Sequence, residues 1–335
     1  MINHSIRQMR GLAFATVASC VAILPGAGFA QSVTANLNHQ MTGTVIDEAV
    51  QRMAADLETQ SDGRIGIKVH SRGELGGERD MFDLMQVGAI EMGVTGSVIV
   101  SAVAPEYGVL DAPYLFKSPE HLAKVMDGPI GTGLKETLIE RKGIRIIGRM
   151  DRAPRHLSTG GKEVRSPEDL SGLKIRMREI PAQIEAFRAL GASPVPMAFG
   201  EVYTALQTGV LDAQENPLDI IMGTSLYEVQ DTITLTGHVR EVQYLVVSDI
   251  WWQSLSDADR ALVQQAAEKA MSWGQDRVYQ ADADLVETAK SKGLTVIELT
   301  PEQRASFSAG VADLPQTFAG KWKDGLYQQI VDAGK

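Results

Sequence analysis

The chain of 335 residues has a single cysteine, Cys20, and it lies within the first thirty. A mature chain beginning at Gln31 would hold no thiol, which excludes disulfides, cysteine-ligated zinc and thiol catalysis. Histidines are few, six in all and scattered singly, and none shows the paired spacing of a zinc hydrolase, so no metal site is expected. No Gly-x-Ser-x-Gly elbow occurs. The run from Gly128 to Lys135 has the glycines of a phosphate loop, but Leu134 stands where the lysine is needed and neither Ser nor Thr follows Lys135. Neither an enzyme nor a cofactor is expected. Positive charge is short as well: 32 Lys and Arg face 42 Asp and Glu. Without the two arginines of the first ten residues, 30 bases face 42 acids, a net charge of −12. That balance argues against nucleic acid and anionic membranes as partners. An anion site must then be a local concentration of arginines.

Long apolar runs are confined to the N-terminus. Met1–Arg10 carries Arg7 and Arg10 and no acid, Gly11–Gly28 is apolar and interrupted by Pro25, and Gly28-Phe29-Ala30 has the small residues of a cleavage site. Residues 1–30 therefore read as a secretory signal peptide cleaved after Ala30. Val17-Ala18-Ser19-Cys20 also fits a lipoprotein processing site. The residues after Cys20 stay apolar where a solvated tether is needed, so the leader reading is preferred.

Beyond the leader, strand and helix patterns alternate. Strands are expected at Val33–Asn38, Arg64–Val69, Met92–Thr95, Ile144–Arg149, Thr232–Thr236 and Val242–Val247. Helices are expected at Thr44–Gln60, Gly77–Val87, Ser118–Met126, Gly131–Arg141 and Leu218–Glu228. The rhythm indicates an α/β fold with a mostly parallel sheet. Ser256 is a good N-cap for a last helix that runs to about Ser291, long enough to cross from one lobe to another.

The densest chemistry lies in DLSGLKIRMREIPAQIEAFRALGASPVPMAFGEVYTALQTGVLDAQENPLDII, Asp169–Ile221. A basic strand, Lys174–Met177, precedes a helix, and a second polar strand end, Gln214-Glu215-Asn216, follows forty residues on. Arginine and asparagine at neighbouring strand ends suit a small anion, since a guanidinium offers two parallel N–H donors and keeps its charge. On spacing alone, Arg176 serves equally well in a salt bridge at the sheet edge.

This segment resembles the signature region of the TRAP-type extracytoplasmic solute receptors, the DctP family, and the resemblance extends from His39 to the C-terminal helix. It implies a two-lobed periplasmic binding protein of the Venus-flytrap type, with mixed, mostly parallel sheets and a long interlobe helix. Lobe I would take residues 31–153 plus about 242–281, and lobe II 154–241 plus about 282–335. It implies that Arg176, in the GLKIR strand, salt-bridges the ligand carboxylate. Arg155, twenty-one residues earlier, is the better match to the family's second ligand-facing arginine, with Arg152 its competitor. Asn216 matches the asparagine of the family's GQEN motif, with Ala213 in place of the glycine. His39 falls at a cleft-lining loop, and Glu74 and Glu78 flank a segment like the family's LGGER. Either acid could accept from ligand hydroxyls, but helix capping is the preferred reading for Glu78. Thr95 and Ser97 are plausible wall residues. Tyr244, Trp251 and Trp252 either stack on a ligand or fill the core, the core being preferred.

The implied function is capture of an organic acid by a monomeric periplasmic receptor and its delivery to the TRAP permease membrane subunits. A sugar acid such as a uronate or aldonate leads; a C4-dicarboxylate, aromatic acid or sulfonate follows. Coupling to a sensor kinase, or a periplasmic enzyme on this fold, are the rival readings.

Overall fold

The structure is a computed structural model that describes residues 32–335; the expected leader, Cys20 and the cleavage position after Ala30 lie outside those residues. Among the described residues no helix is long and apolar enough to cross a membrane.

Among the described residues eleven strands form two sheets: β1 (Val33–Asn38), β2 (Ile65–His70), β3 (Met92–Thr95), β4 (Ile144–Asp151), β5 (Arg155–Thr159), β6 (Lys174–Met177), β7 (Ser193–Pro196), β8 (Ala213–Asn216), β9 (Thr232–Val239), β10 (Val242–Ser248) and β11 (Thr295–Ile297). The first sheet has the order β2-β1-β3-β10-β4 and the second β11-β9-β5-β8-β6-β7. Five neighbouring pairs are parallel and four antiparallel, so both sheets are mixed with a narrow parallel majority. Two short crossings carry the chain between them: Arg152–Pro154 from β4 to β5, and Arg240–Glu241 from β9 to β10.

Burial explains why these segments became strands. In β10, Val242, Tyr244 and Val246 enter one apolar cluster while Leu245 and Val247 enter another on the opposite face. A strand covered on both faces reads as a continuous apolar run, as Val242–Val247 does. β7 contains two prolines and is the edge strand of its sheet, where a missing N–H costs no ladder bond. Arg155 and His156, expected in a turn that follows the strand Ile144–Arg149, open β5 instead; all five residues of β5 are buried between β8 and β9. The helix expected over Leu218–Glu228 ends at Gly223, and Ser225 turns left-handed (φ 60°) before a short 3-10 turn.

The helix Asp257–Ser291 runs 35 residues, capped by the Ser256 hydroxyl on the Asp259 N–H. At 1.5 Å per residue it is about 52 Å long. Its first half packs Val263, Ala267 and Met271 against the first sheet with Leu37 and Val247. Near its end, Ala289 packs with Ile233 and Leu218 beside the second sheet. The last helix, Leu326–Ala333, packs in the cluster that holds Val242, Tyr244 and Val246 of the first sheet. Leu326 and Ile330 pack with Leu122 and Val125, and the Ile330 carbonyl lies 2.7 Å from His121 Nε2.

Gly131 sits in the first turn of the helix Pro129–Lys142, which abuts the end of Pro119–Asp127. A Cβ there would come within 1.9 Å of the Met126 carbonyl oxygen, a backbone atom that cannot step aside. Gly131→Ala is expected to lower unfolding stability by about 3 kcal/mol in chemical denaturation; an unchanged midpoint would contradict this packing.

Candidate ligand-binding site

The parallel strands β1, β3, β6 and β8 end on one crevice, the usual place for a ligand in an α/β sheet. Residues at or just beyond those ends line it: His39, Gly96, Arg176, Arg178 and Asn216. Arg152, from the first crossing, and Gln243, at the start of β10, line it too. The space between them, its open mouth included, measures about 490 Å³. A second recess of about 730 Å³ shares Gln40, Glu78, Arg176, Arg178 and Phe199 with it. Arg79 pairs with Glu179 at the mouth, joining the two sides.

Four buried guanidinium groups converge here, and they are not equivalent. Arg155 is fully buried and saturated by protein: it pairs with the Glu215 carboxylate, donates to Asn216 Oδ1 at 2.9 Å and reaches Glu241 Oε1 at 3.2 Å. Arg178 grips Glu241 with both nitrogens, Nη1 to Oε1 at 3.0 Å and Nη2 to Oε2 at 2.8 Å. Arg152 donates Nη1 to Glu241 Oε1 at 2.9 Å, while its buried Nη2 has no partner among the described residues.

Arg176 differs from these three. It is 3 % exposed, its Nε donates to the Met197 carbonyl at 3.0 Å, and its face lies 5.8 Å from the Phe199 ring. It makes no ion pair among the described residues, and its buried Nη1 has no hydrogen-bond partner. Burial, opposed by Glu215, pushes this guanidinium down to about 9. A buried cation so destabilised gains most from an incoming anion.

The two central carboxylates show the opposite balance. Burial alone would raise Glu241, but Arg178, Arg155 and Arg152 outweigh it and hold the group at about 2. Glu215 is likewise held well below the usual range by Arg155 and by a 3.0 Å contact from His238 Nε2, against the effect of burial. Burial lowers His39, with Asp47 opposing, so its ring is neutral. Its Nδ1 accepts from the Met41 N–H at 3.4 Å, which leaves a proton on Nε2, 3.3 Å from Asp47.

The remaining expected residues fall unevenly. Asn216 lines the cavity but spends its amide on Gln214 (2.6 Å) and Arg155. Glu78 faces the cavity, accepting from the Thr95 hydroxyl at 2.6 Å and the Gly96 N–H at 3.3 Å. It was read first as a helix cap, a task that Asp80 performs instead by accepting from the Gly77 N–H. Ser97 donates to Glu241 at 3.2 Å. Glu74 is exposed and pairs outward with His70, away from the cavity, and Tyr244 is buried in an apolar cluster, its position on β10 pointing it into the core. Trp251 is core, and Trp252 lies under Arg145. Between the competing arginines, Arg152 lines the cavity and Arg155 stands behind Asn216 and Glu215. Arg178, Glu241, Gln40, Gln243 and Phe199 were missed. Arg178 was discoverable, lying two residues beyond Arg176 and so on the same strand face; nothing local marks Glu241.

A family model described as bacterial extracellular solute-binding protein, family 7 (DctP), matches residues 38–321. A solute-binding protein of Roseobacter denitrificans is 38 % identical over 308 residues, covering 91 % of this chain and 92 % of that one. The 2,3-diketo-L-gulonate-binding periplasmic protein of Escherichia coli is 31 % identical over 252 residues, 75 % of this chain and 76 % of its own. A solved TRAP periplasmic solute binding protein from Roseobacter denitrificans OCh 114, with bound L-galactonate, superposes with a TM-score of 0.83 at 34 % identity, covering 91 % of this chain and 99 % of that one.

Two stability predictions separate the arginines. Arg155→Ala strands Glu215 as a buried unpaired charge and is expected to cost about 3–5 kcal/mol. Arg176→Ala removes a cation with no counter-ion and is expected to leave the ligand-free melting temperature within a few degrees of wild type. Equal losses would contradict the assignment of partners. In acid, Glu241 contributes stability that is present above its ordinary value of 4.5 and lost as pH falls towards about 2. Melts at pH 7, 4 and 3 are expected to show that decline, flattened in Glu241→Gln.

Proposed function

The chain belongs to the family-7 bacterial extracellular solute-binding proteins and is a TRAP-type extracytoplasmic solute receptor, not an enzyme; from that premise we propose that it captures a sugar acid, an aldonate or uronate, in the periplasm and hands it to the membrane subunits of a TRAP permease. The observation that carries the ligand class is Arg176, a buried guanidinium at a parallel strand's end, free of ion pairs among the described residues and facing the cavity. A carboxylate placed there would complete the charge-assisted pairing that the protein leaves unmade. Glu78, Asn216, Gln40 and Gln243 around the same space offer acceptors and donors to hydroxyl groups, which suits a polyhydroxy chain. The relatives' ligands, L-galactonate and 2,3-diketo-L-gulonate, are sugar acids and support this reading.

In this reading the lobes are 31–153 with about 242–281 and 154–241 with about 282–325, the last helix returning to lobe I. The acid binds on Arg176 from lobe II, and His39, Glu78 and Gly96 of lobe I close over it. Closure is driven by contacts that exist only when both lobes touch the ligand, since equal affinity for open and closed forms shifts nothing.

The test is thermal stabilisation of residues 31–335, refolded to remove carried-over ligand, by uronates, aldonates, succinate, benzoate and sulfonates. A ligand at a hundred times its Kd stabilises the fold by about 2.7 kcal/mol. Stabilisation by an aldonate or uronate, abolished in Arg176→Ala, is expected. Retention of near wild-type affinity in that variant would sink the site, and a response to succinate alone would replace the sugar acid with a C4-dicarboxylate.

A further inference from the structure

Glu241 occupies the second crossing, in a two-residue link where the chain passes from β9 back to β10. Its backbone carbonyl accepts the Arg152 N–H at 2.9 Å, which ties the two crossings together. Its side chain is 1 % exposed and is shared by Arg152, Arg155 and Arg178, with the Ser97 hydroxyl on Oε2. Those partners come from the first crossing, β5, the segment after β6, and the loop after β3, so one carboxylate joins groups from both sheets.

The charge around it can be followed group by group. Arg155 is neutralised chiefly by Glu215, and Arg178 by Glu241 in a two-point grip. Arg152 shares Glu241 Oε1 and feels Asp219. Asp111, raised by burial to about 7, also faces Arg178. Glu78, at the cavity wall, faces Arg176. Arg176 remains the one guanidinium of the four without an ion-pair partner among the described residues. Without Glu241, the grip on Arg178 and the one ion pair that Arg152 makes among the described residues would both be lost, and all three guanidinium groups that line the cavity would lack an ion-pair partner instead of Arg176 alone.

We propose that Glu241 is a specificity-determining residue: by holding Arg152 and Arg178 to itself, it limits the cleft to ligands with a single carboxylate and rejects diacids of the same carbon chain. Arg152 is the group it restrains, because Arg152 Nη2 already lies buried, unpartnered and at the cavity wall. Two like charges near one ligand end would bind a dianion better than a monoanion, and a buried carboxylate between them cancels that preference.

The inference rests on the assignment of the cleft as an anion site, and its test separates the two. Calorimetric Kd values for L-galactonate and galactarate, which differ in having one carboxylate or two, are measured on wild type, Glu241→Gln and Glu241→Gln/Arg152→Gln. Wild type is expected to prefer the monoacid. Glu241→Gln is expected to shift the ratio of the two Kd values towards galactarate by about tenfold or more, and the double variant to shift it back. A residue with only a structural role would weaken both acids alike, and an unchanged ratio in Glu241→Gln overturns the proposal. If wild type binds neither sugar, the sugar-acid reading fails, and sulfate replaces both probes: Glu241→Gln must then gain a sulfate-dependent rise in melting temperature larger than wild type, an equal rise being the contrary result. If Glu241→Gln does not fold, Arg152→Gln tests the idea from the other side. It must lower the relative affinity for the dianion further, and no change in the ratio overturns the proposal.

Discussion

Four buried guanidinium groups meeting two buried carboxylates form the constraint on which the rest of this molecule depends. A guanidinium cannot shed its charge cheaply, so each must find a counter-ion or stand destabilised in a low-dielectric site. Glu215 and Glu241 satisfy three of the four, and the partners they need come from distant parts of the chain: β5, β8, the segment after β6 and both crossings. The sheets are thereby registered to one another at the place where their parallel strands end. Arg176 is what the arrangement leaves over, the one guanidinium of the four without an ion-pair partner among the described residues.

The scaffold serves that geometry. β10 is inserted between β3 and β4, antiparallel to both, so the crossing at Glu241 is anchored on either side by buried strands. The helix Asp257–Ser291 packs on both sheets, and the final helix returns to the first, which joins the lobes along their length while the cleft is lined from both.

Much of this was legible in the sequence, for physical reasons that differ by element. The boundaries of β1, β3 and the long helix were readable because apolar periodicity and a serine cap act locally. β5 was hidden, since Arg155-His156-Leu157-Ser158-Thr159 has no alternating pattern; its buried polar side chains find partners outside the strand, Arg155 in Glu215 of β8 and Ser158 in Gln214 of β8 and Gln230. The arginine of the GLKIR strand could be singled out, whereas its isolation from counter-ions could not, because that depends on where Glu215 and Glu241 are spent. Arg155 and Arg152 looked interchangeable three residues apart, yet one lies on β5 and the other in the crossing before it. Glu74 and Glu78 likewise differ only in whether the turn at Leu75–Gly77 directs them outward or towards Thr95.

The most direct test is a crystal structure of the mature protein with a bound aldonate or uronate. The account predicts a carboxylate oxygen within hydrogen-bonding distance of Arg176 Nη1, with Arg155 still paired to Glu215. A ligand carboxylate seated elsewhere, with Arg176 bonded only to protein, would contradict it.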